Sequence, residues 1–387
     1  MENNNKIIVG IDASRNRSGG ARAHIIGIIN ALKSGTEKTV EIHIWSYKSL
    51  LDMLPNIKFV IKHSSHKLEK NILSQIIWQF FTLPKLVKKY KCDILLYTDA
   101  GAFINFHPCV VMSRDMLSYE KGEMNRYPFS MSKLRLFILK YIQIYSLKKA
   151  DGAIFLTKYA SDVIQKYTGN LKNVRIIPHG VSNFFRVNND FNKNKISFNY
   201  SEEINCIYVS NTAPYKHQWN VVKAIKILRN NGFNLKLLLV GGGSGPAQLR
   251  LEKEITNSDP DRIFVNQIEF VQHEQIPNYL SKSHIFIFAS SCENMPNTLI
   301  EGMASGLLIA CSNRGPMPEV LKEAGVYFDP ENPDSISKAV LEILSTPTKN
   351  MIRKKLSIQY SKEYSWERCA NETLEYLRFT RNLVMNK

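Results

Sequence analysis

Two glutamates, Glu293 and Glu301, stand with seven residues between them in the run 290–306, Ser-Ser-Cys-Glu-Asn-Met-Pro-Asn-Thr-Leu-Ile-Glu-Gly-Met-Ala-Ser-Gly. The apolar residues 285–289 before them read as a strand, and the residues from Asn297 onward read as a helix. A parallel strand delivers Glu293 at its carboxyl end, where ligands of open α/β sheets bind. Asn297 or Thr298 is expected to cap the helix, turning its first backbone N–H groups, Leu299 among them, toward a bound anion. Glu301, about one turn further in, is placed to accept hydrogen bonds from a sugar diol. A strand-end carboxylate, an anion-ready helix start and a second carboxylate together describe a site for a nucleotide sugar.

Three further segments must position that site. Residues 235–243, Leu-Lys-Leu-Leu-Leu-Val-Gly-Gly-Gly, read as a buried strand running into a glycine turn at Gly241 and Gly242. Residues 207–217 read as a strand followed by the loop Asn211-Thr212-Ala213-Pro214-Tyr215-Lys216-His217, whose Lys216 can hold a diphosphate as a point charge. Residues 176–181, Ile-Ile-Pro-His-Gly-Val, read as a hinge. In the first half, strand 6–11 leads through 12–20 to a helix running to Leu32, and Gly19 and Gly20 there let backbone amides approach a phosphate. Strands are also expected at 93–97, 110–113 and 153–157, and the second half repeats the alternation, with helices at 219–230 and 317–324. Alternation of this kind argues for parallel sheets.

These four motifs, in this order, resemble the signature of retaining glycosyltransferases of family 4. The resemblance implies a GT-B fold, an α/β architecture of two Rossmann-like domains facing a central cleft. The domains are expected at 1–183, on the acceptor side, and 184–364, on the nucleotide-sugar side, with a helix from about 365 to 387 packing back on the first. It implies Glu293 on the transferred sugar, Lys216 on the diphosphate and Glu301 on the ribose hydroxyls. It further implies transfer with retention, the departing diphosphate taking the acceptor's proton, and no metal or other cofactor. Two positions depart from the family pattern. Asn211 stands where an arginine commonly accompanies the lysine, and Arg114, beside Asp115, stands where many relatives have histidine. An imidazole role therefore does not transfer; Arg114 is left to neutralise a phosphate or a charged acceptor, and Asp115 to orient an acceptor hydroxyl, unless the two form a surface ion pair. His24 and His179 are open to structural or functional readings.

Composition agrees. A chain of 387 residues with 44% hydrophobic content suits two or three globular domains. No run reaches the roughly 20 apolar residues that span a bilayer. The first residues do not read as a signal peptide, and the six scattered cysteines read as reduced thiols, so a cytoplasmic location is expected and the sequons at Asn16, Asn199 and Asn371 are incidental. Charge is uneven: residues 1–180 hold 27 Lys and Arg against 13 Asp and Glu, a net of +14, of the chain's +17. The first half thus favours an anionic partner. Residues 72–91 mix Trp78, Phe80 and Phe81 with Lys85, Lys88, Lys89 and Lys91, and residues 133–149 mix Phe137, Ile138, Tyr141 and Tyr145 with Lys133, Arg135, Lys140, Lys148 and Lys149. Either each packs an apolar stripe on the core with a solvated basic back, or each lies on an anionic membrane surface. No recognised motif supports nucleic acid.

The function so expected is transfer of a hexosyl-type sugar from a UDP- or GDP-linked donor to a saccharide acceptor, lipid-linked, in O-antigen, capsule or similar surface-polysaccharide assembly. The rivals are a non-catalytic relative that binds nucleotide sugar or membrane, and a GT-B nucleotide-sugar epimerase. A glycosidase using the two glutamates leaves the anion-binding features unexplained. Gly241-Gly242-Gly243 falls short of the dinucleotide fingerprint, which disfavours an NAD enzyme. Asp259-Pro260-Asp261 has the shape of a metal motif but reads as a turn before strand-like residues 262–265.

Overall fold

The computed structural model describes residues 6–17, 19–33, 36–127, 131–186, 196–199 and 202–386. Most of the loop expected at 187–201 lies outside the described residues, as do residues 1–5 and Ser18 of the first sequon. The chain divides into two compact units, one of Met1–Met124, Pro128–Gly180 and Ser365–Lys387, the other of Asn125–Tyr127 and Val181–Tyr364.

The first unit is built on strands β1 (Ile7–Asp12), β2 (Val40–Ser46), β3 (Val60–Ser64), β4 (Ile94–Tyr97), β5 (Cys109–Ser113), β6 (Gly152–Phe155) and β7 (Val174–Ile176). They form one parallel sheet in the order β3-β2-β1-β4-β5-β6-β7. The central strands are apolar on both faces, with Ile94, Leu95, Val110, Val111 and Ile154 excluded from water. Such strands need helices on both sides. From β1 the chain steps one way to β3, then crosses back and steps the other way to β7. Right-handed crossovers put the helices of the two runs on opposite faces, and the reversal falls between β1 and β4.

The C-terminal helix, Trp366–Met385, closes this unit, with Ser365 accepting the Arg368 N–H as its cap. It packs on the helix Gly19–Asn30 and on β4 and β5. The close approach is set by Gly27, where a Cβ would lie 2.2 Å from a Trp366 ring carbon. Deeper along the helix, the buried Tyr376 hydroxyl donates to the Asn173 carbonyl at 2.9 Å and accepts the Ala153 N–H at 3.2 Å, pinning the helix to the sheet between β6 and β7.

The second unit holds β8 (Ile204–Val209), β9 (Leu235–Val240), β10 (Val265–Ile268), β11 (Ile285–Phe288), β12 (Leu308–Ser312) and β13 (Val326–Phe328). Its parallel order, β10-β9-β8-β11-β12-β13, is that of a Rossmann sheet, and its reversal falls between β8 and β11. Most expected elements lie within a residue or two of those observed. Two differ for visible reasons. The helix expected at 317–324 spans only Met317–Leu321, because Lys322 turns to φ +52°. β10 starts at Val265 rather than 262, because the Asp259 carboxylate accepts the N–H groups of Ile263, Phe264 and Val265 and holds that stretch as a turn. All six cysteines are buried and none is in a disulfide. Among the described residues no helix is long and apolar enough to cross a membrane.

Gly27→Ala is expected to destabilise the first unit by about 1–3 kcal/mol through overpacking. Urea unfolding checks this, and Trp366→Leu in the same chain should cost less than the two changes added together, since both act on one contact.

Candidate functional site

In the second unit the loops that follow β8 and β11 flank the sheet's reversal and are tied to each other. The Ser291 N–H donates to the Tyr215 carbonyl at 2.8 Å, and the Ser291 hydroxyl meets His217 Nε2 at 2.9 Å. His217 adopts a left-handed conformation, φ +50°, that turns the loop into the helix Gln218–Asn230. Burial, helped by the Arg126 charge, lowers its pKa to about 4 and keeps it neutral. The fixed loops bring Lys216 and Glu293 into a direct ion pair. The lysine side chain is only 9% exposed; its carbonyl accepts the Tyr208 hydroxyl at 2.8 Å, and its ammonium lies near the rings of Tyr215 and Phe288.

The second glutamate is enclosed as well. Glu301 sits in the helix Asn297–Ala304, where Oε1 accepts from His273 Nε2 at 2.7 Å. Its other oxygen, Oε2, is buried without a hydrogen-bond partner among the described residues. Burial pushes the carboxyl pKa up, against the bond and charge of His273. Burial also works against the His273 imidazolium, but the Glu301 carboxylate outweighs it and raises the pKa above the ordinary histidine value. The close contact thus works in opposite senses on the two groups, favouring the imidazolium and opposing the effect of burial on the carboxyl.

The backbone around them is close-fitted. Gly241 has φ +119°, and a Cβ there would lie 2.3 Å from the Ser210 carbonyl, so only glycine lets the β9 turn lie against the β8 loop. Gly242 accepts the Thr212 N–H at 2.9 Å. Asn211 is exposed, its carbonyl held by Gln218 Nε2 at 3.0 Å. The helix cap is not as expected: Pro296 occupies the cap position and no side chain caps the helix. Asn297 is the first helical residue, with Oδ1 enclosed and unpartnered among the described residues, and Thr298 is half-buried beside it. The Leu299 side chain is in the core and its N–H is already bonded to the Pro296 carbonyl at 3.0 Å.

In the first unit, Gly19 and Gly20 are exposed at the start of their helix, Gly19 at φ +52°. Arg114, from the end of β5, is not half of a surface ion pair with Asp115. Its side chain is 9% exposed and meets Asp99 at 3.3 Å, while Nε and Nη1 are enclosed with no partner among the described residues. Asp115 accepts the Leu117 N–H at 3.1 Å and turns to Gln143; burial, with the Asp99 charge, raises its pKa. His24 and His179 stack with ring centroids 4.5 Å apart beside Trp366. Burial, then the neighbouring His179 and Arg114 charges, hold the His24 pKa well below its usual value.

The second unit is similar in sequence to known proteins. Residues 189–360 match the family model "Glycosyl transferases group 1". Over that stretch the chain is similar to the group 1 glycosyltransferases. The O-antigen chain mannosyltransferase B of Escherichia coli is 28% identical over 111 residues, 29% of each chain. Among solved structures, sucrose-phosphate synthase from Thermosynechococcus elongatus superposes with TM-score 0.75 at 17% identity, covering 99% of this chain and 100% of that one. Anabaena HepE in complex with UDP-glucose gives TM-score 0.72 at 14% identity, covering 96% and 99%. At such identities the structures speak for the fold alone, which is GT-B: two Rossmann-like α/β domains on parallel sheets.

Within the second unit, His273 is the residue beside the candidate site that sequence reasoning missed. It lies in the turn His273–Gln275 after β10, at the same carboxyl-end edge as Lys216 and Glu293. Nothing in its local sequence marks it as a site residue. Asp259 is fully engaged as a turn, so it is not free to bind a metal. Among the described residues, His107, Cys109 and Asp151 place donor atoms within 4.8 Å of one another. Asp151 is already shared between the Cys109 N–H and His107, at the amino edge of the first sheet. A cavity of about 370 Å³ in the second unit likewise lies at the amino ends of β8, β9 and β10, away from the glutamates.

Two outcomes test the geometry. Lys216→Met leaves Glu293 buried without its cation and should cost about 3 kcal/mol, most of which Lys216→Met/Glu293→Gln recovers; chemical unfolding of both variants reads this. For His273, the raised pKa means that its protonated form adds stability below the ordinary histidine value of about 6.5, which is lost as pH rises through the folded-state value. The stability advantage of wild type over His273→Gln should therefore shrink as pH rises above about 6.5, and an advantage growing with pH would contradict the raised histidine pKa.

Proposed function

We propose that the chain is a retaining glycosyltransferase that moves a hexosyl sugar from a UDP- or GDP-linked donor to a saccharide acceptor carried on a lipid, in the assembly of a surface polysaccharide. The observation that carries this reading is the half-engaged, buried Glu301 carboxylate set beside the Lys216–Glu293 pair at the sheet reversal. A carboxylate enclosed with one oxygen unsatisfied costs stability until a donor arrives, and vicinal ribose hydroxyls supply two. The relationship to an O-antigen mannosyltransferase supports the polysaccharide setting. The HepE complex with UDP-glucose supports a UDP-linked donor.

In this reading the incoming diphosphate competes with Glu293 for the Lys216 ammonium and frees the Glu293 carboxylate for sugar hydroxyls. Gly241, Gly242 and Asn211 border the same loops, and Asn297, Thr298 and the start of their helix receive the phosphates. Gly19 and Gly20 approach them with backbone amides. The bond between the anomeric carbon and the phosphate oxygen breaks as the acceptor oxygen attacks from the same face. The acceptor's proton passes to the departing phosphate, so the protein need not supply a nucleophile. Lys216 and the helix N–H groups supply the charge stabilisation, with no metal required. Arg114 neutralises an anionic group on the acceptor, and Asp115 orients its hydroxyl. The protein works in the cytoplasm at the inner face of the membrane.

A thermal-shift panel of UDP, GDP, ADP and their sugar conjugates tests this on wild type and Glu301→Ala. A ligand at about 100 times its dissociation constant adds about 2.7 kcal/mol. One base family should stabilise wild type and leave the variant unmoved, and proton NMR of the product should show the donor's anomeric configuration. A folded wild type that responds to none of the ligands would overturn the reading in favour of a relative without turnover.

A further inference from the structure

The apolar residues of the helix Met131–Lys149 are not confined to one face, and basic side chains stand among them. Here only one side is covered. Gln143, Ser146 and Leu147 face inward, whereas Leu134, Phe137, Ile138, Tyr141 and Tyr145 are each 50–58% exposed. Their spacing of three and four residues puts them in one stripe down a single outer face. The stripe ends in the exposed Lys148 and Lys149, with Arg135 exposed at its flank.

A second segment repeats the pattern. Residues 72–89 form a continuous helix, Ile72–Ile77, a wider π-turn Trp78–Thr82, and Leu83–Lys89. The extra residue of the turn puts Trp78 and Gln79 inside and leaves Phe80 and Phe81 outside with Ile72, Leu73 and Ile77. Exposed Lys85, Lys88, Lys89 and Lys91 follow. This helix joins β3 to β4 and the other joins β5 to β6. Both connections cross the sheet in the same direction, so right-handedness puts both helices on the same face. The Phe80 carbonyl accepts from Asn105 in the β4–β5 connection, and Gly101 in that connection lies against Leu139 of the second helix. Neither helix contains an Asp or a Glu.

We propose that these two helices form one surface that lies on an anionic lipid bilayer, the aromatic and aliphatic side chains entering the headgroup boundary and the lysines meeting lipid phosphates. Of the two readings that the sequence left open, a core-facing stripe and a membrane-facing one, the exposure of the apolar stripes favours the second. A protein partner would have to bring acidic groups in the same two-helix pattern; an anionic leaflet presents them everywhere. The inference deepens the lipid-acceptor part of the proposed function, on which it rests for its biological setting. A bilayer-bound first unit would take a lipid-carried acceptor from the surface on which it sits.

Flotation with sucrose-gradient vesicles tests it, using phosphatidylglycerol in phosphatidylcholine against phosphatidylcholine alone. Wild type should float with the anionic vesicles and remain at the bottom with the neutral ones. Each basic side chain near such a surface changes partitioning by about fivefold, so Lys148→Glu/Lys149→Glu should lose more than about tenfold. Phe137→Ser/Tyr141→Ser should lose binding to a similar degree, while both variants keep the wild-type circular dichroism and nucleotide response. Failure of wild type to float, or variants that float equally well, would overturn the proposal. So would sedimentation equilibrium showing a dimer abolished by Phe137→Ser/Tyr141→Ser with no vesicle binding, which would make the surface an interface between copies. A protein that floats yet responds to no nucleotide sugar would keep this inference and lose the transferase reading.

Discussion

A lysine ammonium and a glutamate carboxylate, both nearly removed from water, meet where the second sheet reverses direction, and the surrounding loops are built to keep them there. Neither charge is tolerable alone in that position. The Ser291 contacts, the neutral His217, the Tyr208 hydroxyl on the Lys216 carbonyl and the glycine turn at Gly241 all hold the loops after β8 and β11 in one register. A parallel Rossmann sheet makes this possible because its reversal leaves two adjacent strands whose following loops diverge, opening a crevice lined by backbone from both. The ion pair is a good resting state for a diphosphate site. It holds the cation in place without water and offers it to a stronger anion at the cost of an exchange of partners rather than of a new desolvation.

The same constraint, buried charge awaiting a partner, shapes the carboxyl edge of the first sheet. Arg114 is held by Asp99 on one nitrogen while two others are enclosed without acceptors among the described residues, and Asp12 is buried and bonded to Gln79. Burial raises the pKa of the Asp12 and Asp115 carboxyls nearby. A guanidinium so placed is paired less fully than its surroundings demand. That is a reason to see the replacement of histidine by Arg114 as a change in acceptor chemistry, from a group that hydrogen-bonds a hydroxyl to one that prefers an anion.

What the sequence revealed and what it hid divide along physical lines. Strands β8, β9 and β11 are short apolar runs that end in glycine or polar loops, so their positions, and with them those of Lys216, Glu293 and Glu301, could be read from local pattern. The partnerships could not. That Lys216 and Glu293, distant in sequence, neutralise each other depends on strand order, which no local pattern encodes. His273 stayed hidden because nothing about a histidine in a polar turn distinguishes it until the fold sets it against Glu301. The cap was misread because Asn297 has the right chemistry for a cap, but Pro296 before it already fixes the turn into the helix. The direction of the aromatic stripes was undecidable for a related reason: apolar residues spread around a helix leave no clear periodicity to say which side faces in.

That last ambiguity has a structural cause worth following. Residues 131–149 need an inner face to cover β5, and Leu136, Leu139, Ile142 and Leu147 supply it. Nothing about the fold then requires Phe137, Ile138, Tyr141 and Tyr145 on the outer face; exposed large apolar groups reduce solubility, and polar residues there would leave the inner packing unchanged. The outer stripe is therefore not a by-product of folding. Nor is the absence of carboxylates on either helix, since exposed lysines are ordinarily stabilised by glutamates one turn away. Both features make the surface worse for a protein alone in water and better for one resting on an apolar, negatively charged layer. The basic excess of the first half, which composition alone could only call an anionic preference, then has a location.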